Sequence, residues 1–116
     1  MPTAVTRLAK ERDIMQVYRR GVSASSTHLS LKGYKLQVPA SRLAVVMSKK
    51  VDKRAVVRNR NRRRLRPLLV SQIATESATY DIVVTVRQSI GDLPYSELTT
   101  EVHQLWQRLV HKMTQR

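Results

Sequence analysis

Residues Lys49–Arg66 read KKVDKRAVVRNRNRRRLR, and ten of these eighteen residues are Lys or Arg. The cations are Lys49, Lys50, Lys53, Arg54, Arg58, Arg60, Arg62, Arg63, Arg64 and Arg66, opposed only by Asp52. Nine of the chain's fourteen net positive charges therefore sit in this window. Residues 1–48 carry eight cations against two carboxylates, and residues 67–116 carry four against five. Holding so many cations together costs self-repulsion, which a polyanion relieves. Nucleic acid is the obvious polyanion, because each cation that meets a phosphate releases condensed counterions.

Blocks of like charge are often solvated arms. This one is interleaved with apolar residues at helical spacing. Val57, Leu65, Leu68, Leu69 and Ile73 fall on one broad face at about 100° per residue. Arg60, Arg63 and Arg66 project from the opposite side with Asn59 beside them, while Arg58 and Arg62 flank one edge and Arg64 the other. The spacing predicts an amphipathic helix that docks on a core and displays guanidinium groups, rather than a disordered basic tail. All six cations from Arg58 to Arg66 are Arg. Guanidinium is a rigid fork that grips phosphate through two donors and stacks on a base, which ammonium does less well. Asn59 adds a neutral donor and acceptor able to meet a base edge or a 2′-hydroxyl.

Outside this stretch the patterns are those of a small globular chain. At 116 residues it is expected to be one nucleic-acid-binding domain over 1–116, with 1–7 a flexible tail. Glu11–Arg20 reads as a short helix, with Gly21 expected to end it in a left-handed turn. Val22–Ser26 suggests an edge strand. Thr27–Val38 alternates as a strand does, with Gly33 and Tyr34 expected to mark a bulge. Arg42–Ser48 is a second strand whose Val45-Val46 pair suggests burial on both faces. The basic helix is expected to run to Ala74. Pro67 either kinks it or breaks it into two, the kinked single helix being preferred. Tyr80–Val86 reads as a central strand, parallel to the one before the basic helix because a helical crossover links them. Tyr95–Met113 is an amphipathic helix with Leu98, Val102, Leu105, Trp106, Leu109 and Met113 on one stripe.

Composition excludes several functions. With no Cys, disulfides, zinc fingers and thiol nucleophiles are ruled out. No apolar run approaches the roughly 20 residues of a membrane span, and the N-terminus lacks the order of a signal peptide, so a cytoplasmic setting is expected. The eight carboxylates are scattered, and His28, His103 and His111 show no ligand spacing. A protein nuclease would need a carboxylate cluster for paired metals or an acid/base constellation. No catalytic residue and no metal site is expected in this chain.

The motifs resemble those of the bacterial ribonuclease P protein component. Arg42-Leu-Ala-Val-Val-Met-Ser-Lys-Lys50, Ala55-Val-Val-Arg-Asn-Arg60 and Arg62-Arg-Arg-Leu-Arg66 are similar to that family's strand ending in Ser-Lys-Lys and its Arg-Asn-Arg helix. Arg12-Asp13 through Val17-Tyr18-Arg19-Arg20-Gly21 is similar to its first helix, Tyr80-Asp81-Ile82-Val83-Val84 to its last strand, and Leu98–Leu109 to its last helix. The resemblance implies an α/β (α+β) sandwich of about four strands and three helices in the order α-β-β-β-α-β-α, like the second domain of ribosomal protein S5. It implies a non-catalytic subunit of a ribonucleoprotein endoribonuclease, in which the RNA subunit hydrolyses precursor tRNA with Mg2+ and releases the 5′ leader. The expected partners are ribonuclease P RNA and precursor tRNA, with neither a membrane nor a small-molecule substrate. Carried over by position, Arg58, Asn59, Arg60, Arg62, Arg63 and Arg66 would touch the catalytic RNA, and Lys49, Lys50 and Lys53 would line the entry to that surface. Ile14, Tyr18 and Lys32 fall in the cleft that holds the leader. Position 14 is Ile where the family usually has an aromatic residue, Lys32 stands where another aromatic is expected, and Asn61 replaces an apolar residue on the helix's inner face. The competing expectations are a ribosomal or general RNA chaperone protein and a DNA-binding module. An arginine-only face argues against sequence-specific DNA reading.

Overall fold

The computed structural model describes residues 5–36, 40–47, 51 and 53–114. In chain order these form β1 (Val5–Arg7), α1 (Glu11–Arg20), β2 (Val22–Ser25), β3 (Leu29–Leu36), β4 (Ser41–Met47), α2 (Ala55–Ala74), β5 (Thr79–Val86) and α3 (Tyr95–Thr114). The five strands make one sheet in the order β1-β4-β5-β3-β2. β4 pairs in parallel with both β1 and β5, whereas β3 is antiparallel to β5 and to β2. The expected α+β sandwich with three helices is therefore present.

The additional strand corrects the expectation of a flexible tail at residues 5–7, the part of 1–7 that lies among the described residues. Val5, Thr6 and Arg7 pair with Ser41, Arg42 and Leu43. The free edge of β4 supplies backbone partners that three residues could not make for themselves. Leu8 secures the strand's end: its N–H donates to the Leu43 carbonyl at 2.9 Å, and its side chain is buried.

β5 lies at the centre, and its two faces feed two cores. Ile82, Val84 and Val86 join Leu29, Leu31 and Leu43 of neighbouring strands beneath α2 and α3. Val83 points the other way, to Leu8, Val17 and Ala44 beneath α1. A strand covered on both sides needs no polar alternation, which is why Ile82-Val83-Val84 is unbroken. Val45 and Val46 divide in the same way, Val45 against the larger core and Val46 against the smaller. On α3 all six residues of the predicted stripe are buried. Trp106 meets Tyr80 edge to face, with ring centroids 5.7 Å apart.

α2 is one continuous helix with Pro67 inside it and exposed. Leu65, Leu69 and Ile73 bury its inner face, and Asn61 extends that row although it is polar. Its side chain is satisfied: Nδ2 donates to the Val57 carbonyl at 3.0 Å, and Oδ1 accepts the Ile90 N–H at 3.2 Å. Arg64 works beside it, donating to the carbonyls of Ile90, Gly91 and Leu93. The loop after β5 is thus clamped to α2 by two residues of the arginine-rich run.

Both glycine expectations need correction. Gly21 ends α1, but in extended backbone with φ −80° and ψ 161° rather than a left-handed turn. What requires glycine there is space: a Cβ would lie 2.6 Å from the Val17 carbonyl oxygen and 2.9 Å from that of Gly33. No bulge occurs at Gly33 and Tyr34, since β3 pairs with β5 without interruption from Leu29 to Leu36. Gly33 instead makes room for Ile82, whose Cδ1 would sit 2.4 Å from an added Cβ.

At the β2–β3 turn, Glu101 of α3 accepts hydrogen bonds from the Ser26 hydroxyl, from the His28 N–H at 3.0 Å and from His28 Nδ1 at 2.8 Å. Burial pushes the Glu101 carboxyl up, but these bonds outweigh it and hold the group below the usual carboxylate range.

Three measurements test this packing. Gly21→Ala should lower the free energy of unfolding in urea by about 1–3 kcal/mol. Gly91→Ala, whose Cβ would meet nothing closer than 3.6 Å, should stay within about 1 kcal/mol of the parent. Arg64→Ala strips donors from three carbonyls and should cost about 1–3 kcal/mol, whereas Arg63→Ala should cost less than about 0.5 kcal/mol. Glu101 has a lower pKa folded than unfolded, so its contribution is complete above the unfolded value and fades as pH falls through the folded one. The stability gap between the parent and Glu101→Gln should therefore be full near neutral pH and close in acid.

Candidate nucleic-acid interface

α2 is anchored along one side, so its other side is fixed in space. Arg60 and Arg63 are exposed, and neither makes a hydrogen bond or ion pair among the described residues. Asn59 is exposed beside them, and its Oδ1 accepts from Arg62 at 3.2 Å, which orients that guanidinium. Arg58 is half-buried and folds back to donate to the Lys53 carbonyl at 2.8 Å. Lys53 is itself exposed. Lys49 and Lys50, expected at the entry to this surface, lie outside the described residues. The first turn of α2 contains no acidic residue, and Arg54 provides no side-chain cap. The partial positive charge of the helix N-terminus therefore adds to the arginines.

Arg62 and Arg66 take a different direction. Arg66 was expected on the outer face, but it is half-buried and reaches toward the Leu43 carbonyl at 3.5 Å. With Arg7 of β1 they rim a groove of about 420 Å³ whose floor includes Leu8, Ile14, Ala44 and Val46. Ile14, a predicted cleft residue, is thus brought together with two arginines assigned to the other surface. One turn further along α1, Tyr18 is 37% exposed. Lys32 projects from β3 toward it, donating to the Tyr18 carbonyl at 2.9 Å with its ammonium 5.4 Å from the ring centroid. The described site residues thus fall on the outer face of α2, at the groove beneath α1, and at the Tyr18–Lys32 pair one turn further along α1, which does not line that groove.

Sequence reasoning missed what holds α1 over the sheet. Asp81 is fully buried on β5, and Arg42 bridges it to Asp13 of α1. The Arg42–Asp81 contacts are 2.8 and 2.6 Å, and the Arg42–Asp13 contact is 3.0 Å. The hydrogen bond to Asp81, and the charge of both carboxylates, raise the Arg42 pKa further, so it stays protonated. Tyr34 stands next in the row, its hydroxyl 3.5 Å from Asp81 and 3.4 Å from Gln16. Burial, then the Asp81 charge, pushes its hydroxyl above the ordinary phenol range. An acid inside the apolar run Tyr80–Val84 signals such a network, but its partner sits on another strand. Among the described residues, no three His, Asp or Glu converge as metal ligands, and Asp13 and Asp81 are already committed to Arg42. No helix among them is long and apolar enough to cross a membrane.

Comparison with known proteins bears on this arrangement. The family profile described as Ribonuclease P matches residues 3–110. The chain is 32% identical over 115 residues to the ribonuclease P protein component of a Cyanothece species, covering 85% of this chain and 88% of that one. It is 37% identical over 93 residues to the ribonuclease P protein component of a Pseudanabaena species, covering 79% and 80%. Its fold superposes on the RNase P protein of Staphylococcus aureus with a TM-score of 0.77 at 22% identity, over 88% of this chain and 93% of that one. The chain therefore belongs to the ribonuclease P protein component family.

Proposed function

We propose that this chain seats on the ribonuclease P RNA through the outer face of α2 and guides the 5′ leader of precursor tRNA through the groove beneath α1. Membership of the family makes it the protein subunit of a ribonucleoprotein endoribonuclease. In this reading Arg58, Asn59, Arg60 and Arg63 meet the RNA subunit, with Lys53 at the entry. The observation that carries it is the pair Arg60 and Arg63, exposed on a helix whose opposite face is buried. Phosphate is the chemistry such cations fit. The groove supports the second half of the reading: an apolar floor suits a base or ribose, and Arg7, Arg62 and Arg66 on the rim suit a strand's phosphates.

The chain's part in the reaction is binding and charge screening. Two RNA molecules repel each other, and cations placed between them lower the cost of approach. Tyr18 supplies a stacking face for one unpaired base, worth about 1–3 kcal/mol. In this reading the hydrolytic step, and the Mg2+ it uses, belong to the RNA subunit. A cytoplasmic setting suits such a role.

Reconstitution with a bacterial ribonuclease P RNA and precursor tRNA at low magnesium tests this directly. The protein should accelerate 5′ cleavage, and Arg60→Ala with Arg63→Ala should remove most of the gain. Shortening the leader to a single nucleotide should weaken substrate affinity in the holoenzyme. Equal cleavage rates with and without protein would reject the proposal, and an affinity indifferent to leader length would reject the groove.

A further inference from the structure

Four residues of α2 are buried, and three of them, Leu65, Leu69 and Ile73, are apolar. The fourth, Asn61, comes before them along the chain. Arg60 lies five residues ahead of Leu65, about 7.5 Å along the helix axis. The turn that displays Arg60 therefore projects beyond the apolar anchors. What holds it is polar, and it reaches α2 from the loop after β5.

That loop is a firm abutment. Ile90 is fully buried, and Leu93 packs against the larger core. The Leu93 N–H donates to the Ile90 carbonyl and the Gly91 N–H to the Ser89 hydroxyl, both at 3.3 Å. Asn61 and Arg64 stand three residues apart, which makes them neighbours on the helix surface, and both bind the loop. Asn61 Oδ1 accepts the Ile90 N–H at 3.2 Å, while Nδ2 donates to the Val57 carbonyl at 3.0 Å and reaches Met47 Sδ at the end of β4 at 3.9 Å. Arg64 spreads its guanidinium over three carbonyls, those of Ile90, Gly91 and Leu93.

Apolar burial is non-directional, so it tolerates some rotation of a helix about its own axis. Hydrogen bonds are directional, and a rotated α2 would leave the buried Ile90 N–H without its acceptor, a loss out of proportion to the bond itself. Each clamping residue follows an exposed arginine: Arg60 precedes Asn61, and Arg63 precedes Arg64. Successive helix residues diverge by about 100°. Holding Asn61 and Arg64 on the loop therefore holds the bearing of Arg60 and Arg63.

We propose that Asn61 and Arg64 are positioning residues for RNA docking: by locking α2 to loop 87–94 they set the direction in which Arg60 and Arg63 point, and they touch no RNA themselves. The inference rests on the RNA subunit seating on the outer face of α2, and it adds what aims that face. It gives the polar side chain at position 61 a duty on the inner side of the helix. It also separates Arg64 from the arginines around it, as an arginine that serves RNA binding through protein carbonyls.

The affinity of the full chain for ribonuclease P RNA, without substrate, tests this when followed between about 50 and 200 mM salt. Arg64→Ala should weaken binding by about 2- to 30-fold, the range for residues that act on a site without touching its ligand, and its salt dependence should match the parent's. Asn61→Ala, which removes no charge, should do the same. Arg64→Lys should not restore affinity, because an ammonium lacks the planar fork. Arg63→Ala should weaken binding and also narrow the loss of affinity over that salt range by about 3-fold, one phosphate contact's worth. Gly21→Ala, destabilised to a similar degree at a site remote from α2, should bind as the parent does. Parent affinity in Arg64→Ala or in Asn61→Ala would overturn the proposal. So would an equal loss in Gly21→Ala, or a narrowed salt dependence in Arg64→Ala with recovery in Arg64→Lys. Parent affinity in the chain carrying both Arg60→Ala and Arg63→Ala would instead reject the RNA seat on α2, and the proposal with it.

Discussion

Leu65, Leu69 and Ile73 keep the arginine array where it is. Each is fully buried against the sheet or α3, and burying such a side chain contributes about 1.5–3 kcal/mol. Opposing them are like charges three or four residues apart on α2: Arg58 with Arg62, Arg60 with Arg63 and Arg64, and Arg66 with Arg62 and Arg63. Each such pair costs about 0.2–0.5 kcal/mol. Together these repulsions amount to less than two of the buried side chains contribute, so the helix forms and its charge is left on the outside. The display is a product of the core, and it persists only while the core does.

α1 is held by different means. Its apolar contact is small, with Val17 alone fully buried on the helix. The rest is polar, through Asp13, Arg42 and Asp81. Dehydrating Asp81 is costly, and a buried ion pair offers no net stability unless its bonds are complete. Here both carboxylate oxygens of Asp81 are met by the Arg42 guanidinium. The pairing fixes where α1 sits relative to the row Thr6–Arg42–Asp81–Tyr34, and thereby sets the width of the groove.

The helices were legible because their periodicity runs for ten residues or more. Glu11–Arg20 and Ala55–Ala74 have the bounds that their apolar spacing and punctuation indicate. β1 was not legible: Val5-Thr6-Arg7 is too short to alternate, and its reason to be a strand lies in β4. Gly21 could be read as a helix end, but the crowding by the Gly33 carbonyl that demands it comes from a neighbouring strand. On α2 the arginines were visible as a set, yet their separate duties were not. A helix wedged between a sheet and a loop has flanks as well as an inside and an outside. Arg64 turns to the loop, Arg66 turns to the groove, and only Arg60 and Arg63 behave as a simple two-sided pattern suggests.

The position of β5 has a consequence for how the chain is made. It is the last of these five strands to be synthesised, yet it occupies the middle of the sheet between β4 and β3. Until it emerges from the ribosome, β4 and β3 have no common neighbour, and α2 has no Ile82 or Val84 to pack against. Contacts between segments distant in sequence form slowly, because the intervening loop must close first. The nascent polypeptide therefore carries its densest charge before the sheet that α2 packs on has been joined into one.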